Sequence, residues 1–202
     1  MILKKLPGIL LLALGLLGSC KKDRHSTIVY ELQSNESIAE WKGYLKTGYF
    51  NEGSIGVSST TLKAVDGKVV SGSFALPLSS LANYNLPTPE LKAELIGHLK
   101  TADFFNIALY PDITFEITTV VPATGKEGNC SVTGNLSMVG KSLPVTFPAK
   151  ITMANKQITV DANVKVDRTK WGINFATSAD LPDDKRIMPE MDIHLKLSGK
   201  EK

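Results

Sequence analysis

Histidine, cysteine and tryptophan are scarce in this 202-residue chain, at three, two and two, and each scarcity removes a class of chemistry. A zinc or iron site needs clustered nitrogen, sulfur or carboxylate ligands. His25, His98 and His194 lie far apart, and none has a second histidine or cysteine at ligand spacing. Two cysteines permit one disulfide at most, so the core has to stabilise the fold largely unaided. Charge of one sign is not in excess either. With 23 Lys and Arg against 20 Asp and Glu, nothing marks a nucleic-acid partner. No phosphate-cradling glycine loop is present. The serines of Gly53-Ser54-Ile55-Gly56 and Ser71-Gly72-Ser73 lack the Gly-x-Ser-x-Gly spacing of a nucleophile elbow. The chain reads as a non-enzyme with no metal and no cofactor.

Long apolar runs are also missing. The longest, Leu6 to Leu17, is too short for a membrane span of about 20 residues. It follows Lys4 and Lys5 and ends in Leu17-Gly18-Ser19-Cys20, which together have the form of a secretory signal. The last four residues resemble the bacterial lipobox, in which the cysteine thiol takes a diacylglyceryl group. The expectation is an export signal over 1–19, a lipid anchor at Cys20 and a short charged tether over 20–26, placing the protein on a membrane of the bacterial cell envelope. Removing Lys4 and Lys5 with the signal, and no acidic residue, lowers the formal charge from +3 to +1. Cys130 is then the remaining cysteine, and within the apparent strand Asn129–Leu136 it reads as a small buried hydrophobe.

What the mature chain has in abundance is period-two alternation. Ile158, Val160, Ala162, Val164 and Val166 alternate with Thr159, Asp161, Asn163 and Lys165, which places the apolar set on one face of a strand. Met191–Leu197 and Ile113–Ile117 repeat the pattern. Further strands are expected near 27–33, 38–46, 54–64, 68–78, 129–139 and 143–153, with tight turns at Asp66-Gly67, Gly140-Lys141 and Asn155-Lys156. One helix interrupts them. Thr88 is placed to cap it, Pro89 to begin it, and Leu91, Leu95 and Leu99 to form its apolar stripe over about 89–100. Eight or nine antiparallel strands with one apolar face close into a barrel or stack as a sandwich, and the pattern alone is compatible with both.

Aromatic residues stand in or beside these strands, as core fillers or as the wall of an apolar cavity. Several runs carry a family resemblance. Leu99-Lys100-Thr101-Ala102-Asp103-Phe104-Phe105, then Tyr110-Pro111-Asp112-Ile113-Thr114-Phe115, resemble the YceI-like family of bacterial envelope proteins. Trp41-Lys42-Gly43, the run Val132–Lys141 and Asp167-Arg168-Thr169-Lys170-Trp171-Gly172-Ile173 are similar to other motifs of that family, over a domain spanning 27–198. The resemblance implies an all-β fold, an eight-stranded antiparallel barrel like an extended lipocalin. It also implies an apolar interior that takes a long-chain isoprenoid or similar amphiphilic lipid, with no catalytic residues. On this reading the cavity wall comprises Trp41, Phe74, Leu76, Phe115, Ile117, Phe147, Trp171 and Phe175, and a head group meets Asn51, Arg168 or Lys170. Asn51 stands two residues before Gly53, where many members carry histidine. The competing expectation is an envelope stress or interaction protein whose barrel is packed solid.

Overall fold

The computed structural model describes residues 25–202. The expected export signal, the expected anchor at Cys20 and the expected tether through residue 24 lie outside them. Eleven strands follow in order: β1 (Thr27–Leu32), β2 (Ile38–Leu45), β3 (Phe50–Gly56), β4 (Thr61–Val65), β5 (Lys68–Pro77), β6 (Ala82–Asn83), β7 (Asp112–Pro122), β8 (Cys130–Met138), β9 (Lys141–Ala154), β10 (Gln157–Asp167) and β11 (Ile187–Glu201). One helix, α1 (Pro89–Leu99), lies between β6 and β7. Every pairing is antiparallel, and β11 pairs not only with β10 but also with β1 and β2, closing the sheet. Since β1 with β2, β3 with β4 and β5 with β6 are successive segments of single bent walls, the result is a closed eight-stranded barrel. Closure leaves no long sheet edge open to another chain.

The alternating segments appear where expected, and the departures have local causes. The strand expected over 54–64 begins earlier, at Phe50, and breaks between Gly56 and Thr61. Its first residues, Asn51-Glu52-Gly53, are poor strand formers held in place by full pairing with β2. The turns Asp66-Gly67 and Asn155-Lys156 have both central residues in the left-handed region, at φ 49° and 73°, and 50° and 61°. The third turn lies one residue earlier than expected. Met138 pairs with Lys141, so Val139 and Gly140 form it, at φ 49° and 72°. A β-branched residue is costly there, which is why the sequence pointed to Gly140-Lys141.

In α1 the Thr88 hydroxyl accepts from the Leu91 amide at 3.3 Å, the expected cap. The apolar stripe differs from expectation: Leu91 is exposed, and Leu95, Ile96 and Leu99 are the residues that pack on the barrel.

Inside, the barrel has two unlike halves. At the end where β1 begins, Leu32, Leu62, Ala149 and Ile158 are at most 1% exposed and fill the lumen. Cys130 belongs to this half; its thiol donates to the Ala149 carbonyl, and burial pushes its pKa up. At the other end, from Val164 and Leu195 onward, the lumen is hollow.

Candidate functional site

The hollow half encloses a cavity of about 200 Å³, open to water-sized molecules and walled almost entirely by hydrocarbon. Phe74, Leu76, Ile113 and Phe115 supply one side, and Met191, Ile193 and Leu195 the opposite side. These residues share strand parity, so the alternation in the sequence is what turns them inward. Phe115 is the hub of an aromatic row, with Phe74 and Phe147 each at 5.4 Å between ring centroids. Leu95 and Leu99 of α1, then Phe104 and Phe105, close the wall on a third side. The lining also includes Tyr49, which is 52% exposed, and the exposed Glu190, so the cavity reaches solvent between the β2–β3 hairpin and the start of β11. Met138, Met188 and Met191, three of the chain's five methionines, line it as well. Unbranched thioethers repack easily, so this wall can yield to a longer occupant.

Of the eight residues expected to form the wall, Trp41, Phe74, Leu76, Phe115 and Phe147 do line the cavity. Three stand elsewhere. Ile117 points inward but is half-buried beyond the hollow, toward the filled half of the barrel. Trp171 is 2% exposed and donates its indole N–H to the Leu136 carbonyl at 3.0 Å, fixing the turn Arg168–Trp171 against β8. Phe175 is 39% exposed and stacks outside the cavity on His98 and Phe104, at 4.8 and 5.3 Å. Strand parity could not place the last two, since both follow the end of β10.

Among the polar residues expected at the mouth, Asn51 and Arg168 line the cavity, while Lys170 is exposed and points away from it. Arg168 is only 5% exposed, and no carboxylate pairs with it among the described residues. Its Nη1, Nη2 and Nε donate to the carbonyls of Ile173, Phe175 and Met188 at 2.8, 2.9 and 3.4 Å. Its guanidinium carbon also lies 5.6 Å from the centre of the Phe104 ring. Burial pushes the pKa of this guanidinium down, and neighbouring Asp167 partly opposes the shift. Asp167 itself is turned back, accepting from the amide and hydroxyl of Thr169.

The histidines sit outside the cavity. His98, near the end of α1, bonds Asp103 at 2.9 Å. His194, on the outer face of β11, bridges Glu40 and Asp161 at 3.3 and 3.2 Å. Among the described residues no three His, Cys, Asp or Glu side chains gather as a metal site.

Sequence reasoning passed over Gly43, Phe104, Phe105 and the three methionines as cavity residues. Phe104 and Phe105 precede β7 in an irregular segment with no periodicity to read. Met138 shares parity with Cys130 and Leu136 on β8, and Met191 belongs to the alternating set of β11, whereas Met188 lies where the pairing of β11 with β2 shifts register between Ile187 and Met191.

A closed antiparallel barrel, filled at one end and hollow with an apolar lining at the other, is the architecture that the motifs suggested. A family model described as YceI-like domain matches residues 23–198. The chain belongs to the YceI-like family. Among curated relatives, a UPF0312 protein of Azotobacter vinelandii is 39% identical over 79 residues, 38% of this chain and 40% of that protein. Protein YceI of Salmonella arizonae is 43% identical over 60 residues, 29% of each chain. The matched segment thus spans well under half the length of these relatives. Among solved structures, BcnA of Burkholderia cenocepacia superposes with TM-score 0.66 at 20% identity, covering 83% of this chain and 98% of that one. A polyisoprenoid binding domain from Saccharophagus degradans superposes with TM-score 0.63 at 13% identity, covering 86% and 98%. At these identities the two structures speak for a shared fold.

Proposed function

We propose that this protein binds a long-chain isoprenoid or similar amphiphilic lipid in the hollow half of its barrel, and that it serves in the bacterial envelope as a lipid-anchored carrier or storage module. The observation that carries this reading is the cavity itself. It is apolar, its bottom is plugged by Leu32, Leu62 and Ile158, and its top is open beside Tyr49 and Glu190. Such a shape suits a chain inserted tail first. Each methylene buried there contributes about 0.8 kcal/mol, so a tail of ten carbons gains roughly 8 kcal/mol before the costs of association. For scale, an apolar cavity of about 150 Å³ admits a benzene-sized guest. The present volume of about 200 Å³ takes the first part of an isoprenoid chain as it stands, and a longer one as the methionines move aside. The polyisoprenoid binding domain of similar fold supports the same reading. A solid barrel serving as an interaction protein is disfavoured by the hollow, and nothing in the site supplies a nucleophile with a base beside it.

Native mass spectrometry of the protein extracted from its own envelope tests the proposal, alongside uptake of a fluorescent isoprenoid. Wild type is expected to carry bound lipid and to take up the probe saturably. Phe115→Arg, which places an unpaired guanidinium in a site 3% exposed, is expected to abolish both in whatever fraction folds. A wild-type protein with neither bound lipid nor saturable uptake would overturn the reading.

A further inference from the structure

Trp41 and Asn51 hold the buried side-chain polar atoms that lack a partner among the described residues: the indole Nε1 and the amide Oδ1. Both residues belong to the cavity wall, and Trp41 is only 7% exposed. The register places them together. Trp41 pairs with Gly53 and Gly43 with Asn51, so Trp41, Gly43 and Asn51 follow one another on the inward face of β2 and β3. The two glycines are not equivalent. A Cβ at Gly53 would come 2.9 Å from the Trp41 ring and still closer to the Ala82 carbonyl, whereas a Cβ at Gly43 would meet nothing within 4 Å. The open space at Gly43 therefore lies on the same face as these two residues, between the one that carries an unsatisfied donor and the one that carries an unsatisfied acceptor. Such groups are costly to leave unpaired.

We infer that this niche beside Gly43 is the seat of the ligand's head group, and that the head group is an uncharged hydroxyl. The inference rests on the reading that an apolar chain fills the cavity. With both side chains turned toward the niche, one hydroxyl oxygen satisfies both orphans at once, accepting from Trp41 Nε1 and donating to Asn51 Oδ1. A carbonyl or ether oxygen satisfies only the indole. A diphosphate suits the site worse, because it brings several acceptor oxygens to a niche that already contains an unpaired acceptor. The cavity has no net charge to attract it either: among the described residues, Arg168 and Glu190 are its only charged lining residues and are of opposite sign. Each nitrogen of Arg168 is already bound to a backbone carbonyl.

The test is competition for the cavity of the full-length chain, delipidated and held in one fixed detergent, by three probes with the same twenty-carbon tail: geranylgeraniol, its methyl ether and geranylgeranyl diphosphate. The alcohol is expected to bind about tenfold more tightly than either of the others, the scale of one recovered hydrogen bond. Asn51→Leu should reduce that preference while leaving the ether's affinity nearly unchanged, whereas Trp41→Phe should weaken the alcohol and the ether alike. Gly43→Val, which has room for its side chain and so retains the fold, should fill the niche and abolish the preference. Equal binding of all three probes, or preference for the diphosphate, overturns the head-group assignment while leaving the apolar cavity standing. Failure of all three to bind overturns both readings together.

Discussion

Phe115 on β7 lays its ring over Gly134 on the neighbouring strand β8, occupying the space a side chain at 134 would need. A Cβ built on Gly134 would lie 2.3 Å from Phe115 Cζ and 2.5 Å from the Glu116 carbonyl oxygen. The glycine in Val132-Thr133-Gly134 therefore has a packing reason, separate from any backbone angle: it lets the central ring of the Phe74, Phe115 and Phe147 row lie flat against the wall.

Gly134→Ala should consequently destabilise the barrel by about 1–3 kcal/mol, the usual range for overpacking. Because the obstructing atoms include a backbone oxygen as well as a ring, relaxation by ring rotation alone is insufficient. Urea denaturation of the two proteins checks this. Equal midpoints would show that the strands part easily at this point.

How much of this was legible in advance differs from residue to residue. Ile158, Val160, Val164 and Val166 all turn inward as their alternation requires, because register with a buried face is strongly specified. The sequence could not tell that the first two plug the barrel while the last two line a hollow, since plug and wall use the same residue types. Where local signals were strong, as at Thr88-Pro89, the helix start appeared as read. Arg168 shows the opposite case. Its motif was recognisable, yet three carbonyls from Ile173, Phe175 and Met188 converge on it only through tertiary closure of the segment between β10 and β11.

That convergence makes Arg168 a clamp for the segment over 172–188. Arg168→Met keeps the apolar stem but strips the carbonyls of their donors, and bonds to charged groups contribute about 1.5–3 kcal/mol each. The expected outcome is a loss of several kcal/mol in urea denaturation, with protease cleavage in 174–186 appearing before global unfolding. Arg168→Lys should recover little of it, because one ammonium cannot reach three carbonyls in the planar fork of a guanidinium. Full stability in the lysine variant would count against the clamp.

On the outer face, Asp192 accepts from the Tyr44 hydroxyl at 2.7 Å and from Lys165 at 2.5 Å. Burial alone would raise its pKa, but the bonds from Lys165 and Tyr44 outweigh it, and the carboxyl lies below its usual range. The same bond from Tyr44 to Asp192, aided by burial and charge, pushes the tyrosine up to about 12. A depressed acid stabilises the fold above its unfolded pKa and loses that contribution as pH falls through the folded value. The tyrosine's contribution, conversely, is complete below about pH 10 and fades toward about pH 12. Asp192→Asn should therefore cost less than about 1 kcal/mol at pH 7, given that the group is 40% exposed, and that difference should shrink as pH drops below 3.8. Denaturation midpoints for the pair at pH 7 and pH 2 provide the check; an equal gap at both would contradict it.

The last prediction concerns orientation on the membrane. The first described residues are fastened to the filled end of the barrel, where His25 Nδ1 lies 2.5 Å from Asp66 Oδ2 and the Ser26 amide donates to Asp66 Oδ1 at 2.8 Å. The cavity mouth lies at the other end, beside the turn that joins β2 and β3. From Cys20 to Thr27 a fully extended chain spans at most about 25 Å. An anchor at Cys20 would thus hold the filled end near its own bilayer and turn the mouth away from it. Cys20→Ala is expected to move the protein from the membrane fraction to the soluble fraction and to end incorporation of labelled fatty acid. Persistent membrane association with continued labelling would refute the anchor. With the anchor intact, wild type tethered to one set of vesicles should take up a fluorescent isoprenoid faster from a second set than from its own, because only the second bilayer can approach the mouth directly. Faster uptake from its own bilayer would mean that the barrel lies on its side, with the gap beside Tyr49 and Glu190 resting on the anchoring membrane.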